Sequence, residues 1–553
     1  MPRTPTTEAN SPAERELADL EQQILEHGLL LNPAGAVNLG LHAYDGQLAD
    51  LSPTALTAWT GKARELLASI RKLPERSLTP DRRLDHDRLQ FMLESDLWGI
   101  EDARIFSTRP STYLLQLDLT VYRSRAYAAK DERIGAMIRL LEATPKFLEQ
   151  ARRNLVGPLP QPFVTLGIDM ASGLPAHYDE CQEFAASGSG FVREFKKARA
   201  AAQESAQAFL QFLRDELTRA RPEFAMGPHV FQKLLQVTEG LRTPWAVILD
   251  DGWRDLRRNQ RRLAEVARAM APTRSSAEAI RSLREDHPAP DQILDEARRA
   301  IAETRSLIVD RGFVSLPNEV PCRVEPMPPM DRAYAFAAIR SAGPFEPTAD
   351  ESIYYVNPLD PAWDAQRKSQ WLAFFNRASL GIITAHETYP GHHVQFLHQN
   401  NKSLSSTART YDSSFGEGWA HYTEQLVLEQ GFRRGDPKVE VAQLREALLR
   451  DCRLIVTISM HAVNMSFADG EQLFIREGFT EPAIASLETR RCAVMPPYQY
   501  TLGKLAILRA REAYFREHPK GSLLEFHDRL LAQGCPPVGL LERIALQDVP
   551  PRV

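Results

Sequence analysis

The sequence predicts a mainly α-helical protein with one small β-ribbon. Three observations carry this. Apolar residues recur at helical spacing almost from Ala13 onward, clusters of Pro and Gly cut the pattern into helix-sized pieces, and only ESIYYVNP (351–358) reads as extended. AERELADLEQQILEHGLLL, beginning at Ala13, opens the series. DERIGAMIRLLEATPKFLEQARRNL follows, with Ile134, Met137, Ile138 and Leu141 on one face. Residues 191–220 are Ala-rich and interrupted only by charges, a strong helix-forming composition. DQILDEARRAIAETRSLI is a further helix. VGPLPQPFVTLG (156–167) and HPAPDQ (287–292) read as loops, and the proline-rich RVEPMPPMDRAYAF (323–336) as a boundary. The expected organisation is a disordered tail over 1–12, an N-terminal helical half over 13–320, and a C-terminal helical half over 321–553 that carries the chemistry. Ile353, Tyr354, Tyr355 and Val356 are strand formers, and a strand needs a partner for its backbone groups. It either pairs in a two-stranded ribbon or leaves an edge to which a peptide adds.

Composition narrows the function classes. The 553 residues are 43% hydrophobic and 25% charged, with a formal net charge of −5 from interspersed acids and bases. That is a globular composition with no signature of nucleic-acid or membrane-surface binding. No apolar run approaches a membrane span, and the N-terminus lacks the apolar core of a secretory signal. The five cysteines, Cys181, Cys322, Cys452, Cys492 and Cys535, are scattered and never form C-x-x-C, which argues for reduced thiols and against a cysteine-ligated zinc. A cytoplasmic location is the expectation. The oligomeric state is not indicated.

The chemistry concentrates in HETYPGHHVQ (386–395). LAFFNRASLGIITAHETY (372–389) reads as one buried helix that ends on His386 and Glu387. Ionisable groups at such a place are costly unless paired or metal-bound. Pro390 and Gly391 then break the chain, and a second helix restarts with His392 and His393. In an unbroken helix His386 and the later histidines would stand roughly 9–10 Å apart along the axis, too far to share a zinc. The Pro-Gly break lets the second helix fold back. Neighbouring residues on a helix diverge by about 100°, so one of His392 and His393 is expected to be the direct ligand. The Val-Gln that follows favours His393. Glu417, between two glycines in SSFGEGWAHYTEQL, is the candidate third ligand, 31 residues beyond His386. His421 and Glu424 share its face, as outer partners of the ligands or as a competing ligand set.

Two histidines and a glutamate leave one coordination position open for water. Glu387 is then the general base. Tyr498 and Tyr500, in a Pro-rich approach to a helix carrying Arg509 and Arg511, offer an oxyanion donor and a clamp for a substrate carboxylate. Arg453 and His461 lie within the otherwise apolar DCRLIVTISMHAVNMSF. The expected catalytic set is Glu387, Tyr500 and His461. Arg511, Tyr498 and Tyr355 are the candidate substrate contacts.

HETYPGHHVQ, EGWAHYTEQL, CRLIVTISMHA and PYQYTLGKLAILRARE, in that order and with YYVNP upstream, resemble the signatures of the bacterial family called domain of unknown function 885. The resemblance covers roughly residues 50–545. That family is similar to mainly helical zinc carboxypeptidases of the thermostable type, and more distantly to the oligopeptidase and angiotensin-converting-enzyme clan. The resemblance implies a large helical zincin-like body with a long cleft, the β-ribbon near the active site, and one Zn²⁺ per chain. It also implies His386, Glu387, His392, His393, Glu417 and Tyr500 as site residues, with His461 and Arg511 beside them. The expected function is zinc-dependent cleavage of peptide bonds, with a short peptide or small amide as partner. The rivals are a non-peptide amide or ester hydrolase on the same site, and a non-catalytic metal- or peptide-binding protein.

Overall fold

A computed structural model describes residues 11–188, 190–327, 332, 336–346, 351–360 and 363–547. Most of the expected tail, residues 1–10, lies outside these. Residues 11 and 12 belong to the first helix: the Ser11 Oγ accepts the Glu14 N–H at 3.2 Å and Pro12 occupies the first turn.

The chain divides into two compact units, one of Met1–Thr238 with Ala342–Ala349 and Ser405–Thr410, the other of Glu239–Ser341, Asp350–Leu404 and Tyr411–Val553. In the first, α1 (Pro12–Leu29), α2 (Pro53–Ile70) and α3 (Pro80–Glu101) enclose Leu17, Ile24, Trp59, Ile70 and Leu89. A second cluster, with Met137, Leu141, Tyr178, Phe195 and Phe209, fills the space between α4 (Lys130–Asn154), α5 (Gln161–Ala186) and α6 (Val192–Leu217). The loop expected over 156–167 is shorter than the sequence suggests, because α5 already begins at Gln161. Its Pro162 sits in the first turn, where a missing N–H costs nothing.

The second unit holds α7 (Trp245–Met270) and α8 (Ile293–Arg311), a three-stranded sheet, and five helices that build the site. These are α9 (Arg377–Glu387), α10 (His392–Gln399), α11 (Ser414–Gln430), α12 (Pro437–Val463) and α13 (Gln499–Glu517). The contact boundary falls near residue 239, well before 320. Helix α7 packs on α12 and α13, so its buried Ile248, Leu256 and Leu263 join the second unit. Helical periodicity marks which face is buried, not which core receives it. Among the described residues no helix is long and apolar enough to cross a membrane.

Strands β1 (Cys322–Pro326), β2 (Ala337–Arg340) and β3 (Ser352–Val356) are ordered β1-β3-β2. β3 pairs parallel with β1 and antiparallel with β2. YYVNP is therefore a central strand, neither an exposed edge nor half of a two-stranded ribbon. The single helix expected over 372–389 is two, since Ala365–Phe374 ends and Asn376 caps α9 through a bond from the Ser379 N–H at 2.9 Å.

Helices α11 and α13 cross at Gly418 and Gly503. A Cβ on Gly418 would lie 2.4 Å from the Gly503 Cα, and one on Gly503 would lie 2.1 Å from the Ser414 carbonyl oxygen. Both clashes are with backbone, which cannot swing aside. Gly503→Ala is expected to destabilise the protein by about 1–3 kcal/mol, since overpacking forces backbone shifts. Chemical denaturation checks it, and an unchanged midpoint would refute the close-crossing argument.

Candidate metal centre

Helix α9 is apolar and buried up to its last turn, so it delivers His386 and Glu387 rigidly to its C-terminal end. The turn that follows folds tightly. The Gly391 N–H donates to the Ala385 carbonyl at 3.0 Å, and α10 starts at once with His392. Glycine is required here by close approach: a Cβ would lie 1.8 Å from the His386 carbonyl oxygen. The Tyr389–Pro390 bond is cis, and the Trp419 indole N–H of α11 donates to the Pro390 carbonyl at 2.9 Å. The turn is thereby fixed to the helix that carries Glu417.

This arrangement puts the His386 and His392 rings 4.9 Å apart and nearly perpendicular. The Glu417 Oε2 lies 3.5 Å from His386 Nε2 and 3.3 Å from His392 Nε2. Among the described residues, His386, His392 and Glu417 form the one group of such donors whose atoms all lie within 4.8 Å of one another. Tetrahedral zinc with ligand bonds of about 2.0–2.2 Å separates its ligands by about 3.3–3.5 Å. The Glu417 Oε2 is buried without a hydrogen-bond donor, as is the His392 Nδ1. An acceptor oxygen stranded between two imidazole nitrogens suits a cation, so these residues fit zinc.

Glu424 orients the first histidine. Its Oε1 accepts from His386 Nδ1 at 2.7 Å and from the Arg450 guanidinium at 3.0 Å. The Nδ1–H is thereby fixed, and the Nε2 is left to face Glu417. Burial opposes the Glu424 charge, but Arg450 and then His421 hold its carboxyl far below the usual range. Burial likewise opposes the His386 charge, yet the nearby Glu417 carboxylate and the bond to Glu424 lift its pKa to about 9. The Glu417 carboxyl, although buried, is held well below its ordinary value by the two histidines. Burial, with Lys504 next, drops His421 to about 3. Behind it, Lys504 Nζ approaches Asp255 at 3.8 Å, and Asn259 donates to Asp451 at 2.8 Å.

The histidine that joins His386 and Glu417 in this group is His392 rather than the preferred His393. His393, one residue further round α10, is fully buried on the other side. Its Nδ1 meets Ser352 Oγ at 3.0 Å, and its Nε2 meets Tyr389 Oη at 3.1 Å and the Val320 carbonyl at 3.2 Å. Burial drops it to about 4, a neutral structural imidazole.

Glu387 lies beside the triad, and its Oε2 accepts the Ile339 N–H of β2 at 3.1 Å. The sheet's contribution to the site is therefore an edge N–H that holds Glu387. Tyr500 lies 6.2 Å ring to ring from His386, with the Arg450 and Arg453 guanidinium groups 5.3 and 5.1 Å from its ring centre. Burial, with the Glu417 charge next, pushes its hydroxyl up to about 12, so it keeps its proton.

The remaining expected residues are engaged elsewhere. His461 Nε2 meets the Cys492 carbonyl at 3.0 Å within buried packing. Arg511 bonds Glu429 at 2.8 Å and Tyr422 at 3.2 Å, so it is not an open clamp. Tyr498 is buried at the start of α13, and the Tyr355 ring lies 5.7 Å from the Arg340 guanidinium. Arg453 makes a two-pronged pair with Glu488 at 2.7 and 2.8 Å. Arg450 escaped the sequence reading, although it lies one turn before Arg453 on the same apolar helix.

Fold and site together describe a mainly helical protein with a small three-stranded sheet and a two-histidine, one-glutamate group that could hold a metal ion. The chain belongs to the family described as bacterial protein of unknown function (DUF885), which matches it over residues 33–544. A solved structure from Shewanella oneidensis, described as a putative lipoprotein of unknown function, is similar in fold at a TM-score of 0.81 and 22% identity, covering 96% of this chain and 100% of its own. Another, described as the putative lipoprotein from Colwellia psychrerythraea, has a TM-score of 0.77 and 17% identity, covering 96% and 98%. No curated protein sequence matches this chain.

Proposed function

We propose that this chain is a zinc-dependent hydrolase that cleaves a peptide or other amide bond in a small substrate, on a zincin-like helical body with a cleft. The observation that carries the reading is the convergence of His386, His392 and Glu417 on one point with Glu387 adjacent in sequence to the first ligand. Zinc held by His386, His392 and Glu417 would supply a Lewis acid that lowers the pKa of a water and polarises a carbonyl. Glu387 takes the proton of that water on the oxygen not held by Ile339, and returns it to the leaving amine. Tyr500, protonated at neutral pH, donates to the developing oxyanion. Glu424 fixes the His386 tautomer throughout. A site that only stored or sensed metal would have no need of a carboxylate secured next to a ligand.

The similarity to helical zinc carboxypeptidases enters here as part of this reading. So does location: a cytoplasmic chain and the lipoprotein description of both structural relatives point to opposite sides of a membrane, and fractionation of the native protein decides between them.

The test is elemental analysis of protein purified without chelator, for wild type, His392→Ala and His393→Ala. About one zinc per chain is expected in wild type and in any folded His393→Ala protein, and near-complete loss in His392→Ala. No zinc in the wild type after zinc is added back would end the proposal. Retention in His392→Ala would end the ligand assignment.

A further inference from the structure

Away from the metal centre, helix α7 turns the arginines of GWRDLRRNQRR toward solvent. With α13 it forms a groove of about 650 Å³. Arg254, Arg257, Arg258, Arg261 and Arg509 line it against three carboxylates, Asp251, Asp255 and Glu512. The pairing is uneven. Asp251 serves both Arg254 and Arg509, the latter at 3.5 Å. Arg258 pairs with Asp255, a buried carboxylate whose other side faces Lys504. Arg257 reaches Glu477 at 2.6 Å and lies 5.3 Å from the centre of the Trp253 ring. Arg261 is exposed and has no ion pair or hydrogen bond among the described residues.

We propose that this groove is a binding site for a small phosphate-bearing anion. The five guanidinium groups outnumber the three lining carboxylates, two of them share Asp251 and Arg261 has no partner among the described residues, so the groove keeps an excess of positive charge that draws in an anion. Their planar forks match phosphate oxygens in pairs, which an ammonium does not. The volume is that of a small-ligand pocket, about 300–1,000 Å³, and far exceeds a bare phosphate. Trp253, Leu505 and Leu508 supply an apolar wall for the rest of the molecule. None of the metal-centre donors lines the groove, so this assignment stands whether or not the chain is a hydrolase.

Calorimetric titration of the full chain with inorganic pyrophosphate tests it, with metal content measured before and after. The groove variant is Arg261→Ala with Arg509→Ala. The control is Arg152→Ala with Arg153→Ala, which removes the same charge from exposed positions on α4. Saturable binding is expected in wild type and control, weakened at least about tenfold in the groove variant. Co-sedimentation with phosphatidylglycerol vesicles, lost only in the groove variant and without pyrophosphate binding, would identify the phosphate as a lipid headgroup. Pyrophosphate binding would identify it as that of a soluble molecule. Binding of neither probe, or equal loss in both variants, would overturn the site.

Discussion

Glu387→Gln is expected to keep its metal and its fold and to lose turnover by about 10²–10⁴-fold, the usual contribution of a positioned general base. The glutamine oxygen can still accept the Ile339 N–H that now meets Glu387 Oε2 at 3.1 Å, so the side chain stays where it is. What disappears is the basic carboxylate oxygen. Metal analysis and a peptide-library assay on the same preparation separate the outcomes. Metal retained with turnover lost supports the base. Metal lost as well would make Glu387 part of the ligand set, and turnover unchanged would remove it from the mechanism. His392→Ala provides the contrast, because it is expected to lose both together.

The helical class and the meeting of His386 with Glu417 were legible because they rest on periodicity and motif order. The choice between His392 and His393 was not. It depends on backbone dihedrals inside a turn: His392 is the first residue of α10 and faces back across the Pro-Gly break, while a rotation of about 100° sends His393 to Ser352 and Tyr389. The Pro-Gly fold-back itself was foreseeable from the excess axial distance between histidines in a straight helix. His461 and Arg511 show how little of a side chain's partners the sequence discloses. A buried histidine and an arginine near the motif both look chemical, yet the Cys492 carbonyl and the Glu429 carboxylate engage them. Arg450 carried the same cue as Arg453, a charge in an apolar helix, but its partner Glu424 lies on another helix and no local pattern links them. The unit boundary near residue 239 was invisible for a similar reason, because the packing of α7 on α12 is a long-range fact.

Glu424 is the position where stability and metal binding are expected to separate most clearly. Its carboxylate is fully buried and serves His386 at 2.7 Å, His421 at 3.3 Å and Arg450 at 3.0 Å. Glu424→Ala leaves the buried Arg450 charge short of a partner and the His386 Nδ1–H without an acceptor. Breaking a buried pair from one side costs about 3–5 kcal/mol, so a large fall in denaturation midpoint is expected. Glu446, 3.2 Å from Arg450, offsets part of that cost. Glu424→Gln is the sharper variant. It preserves the volume and one acceptor for His386, but no longer carries the negative charge that raises the basicity of the imidazole. Loss of such an outer partner weakens metal binding by about 10–100-fold. Competition with a chelator of known affinity measures this on folded protein, independently of any substrate. Wild-type affinity in Glu424→Gln would mean that the carboxylate stabilises Arg450 and has no part in preparing His386. Weaker affinity with a near-normal midpoint would make Glu424 a positioning residue of the metal centre, since a purely structural group cannot lower affinity while leaving stability in place.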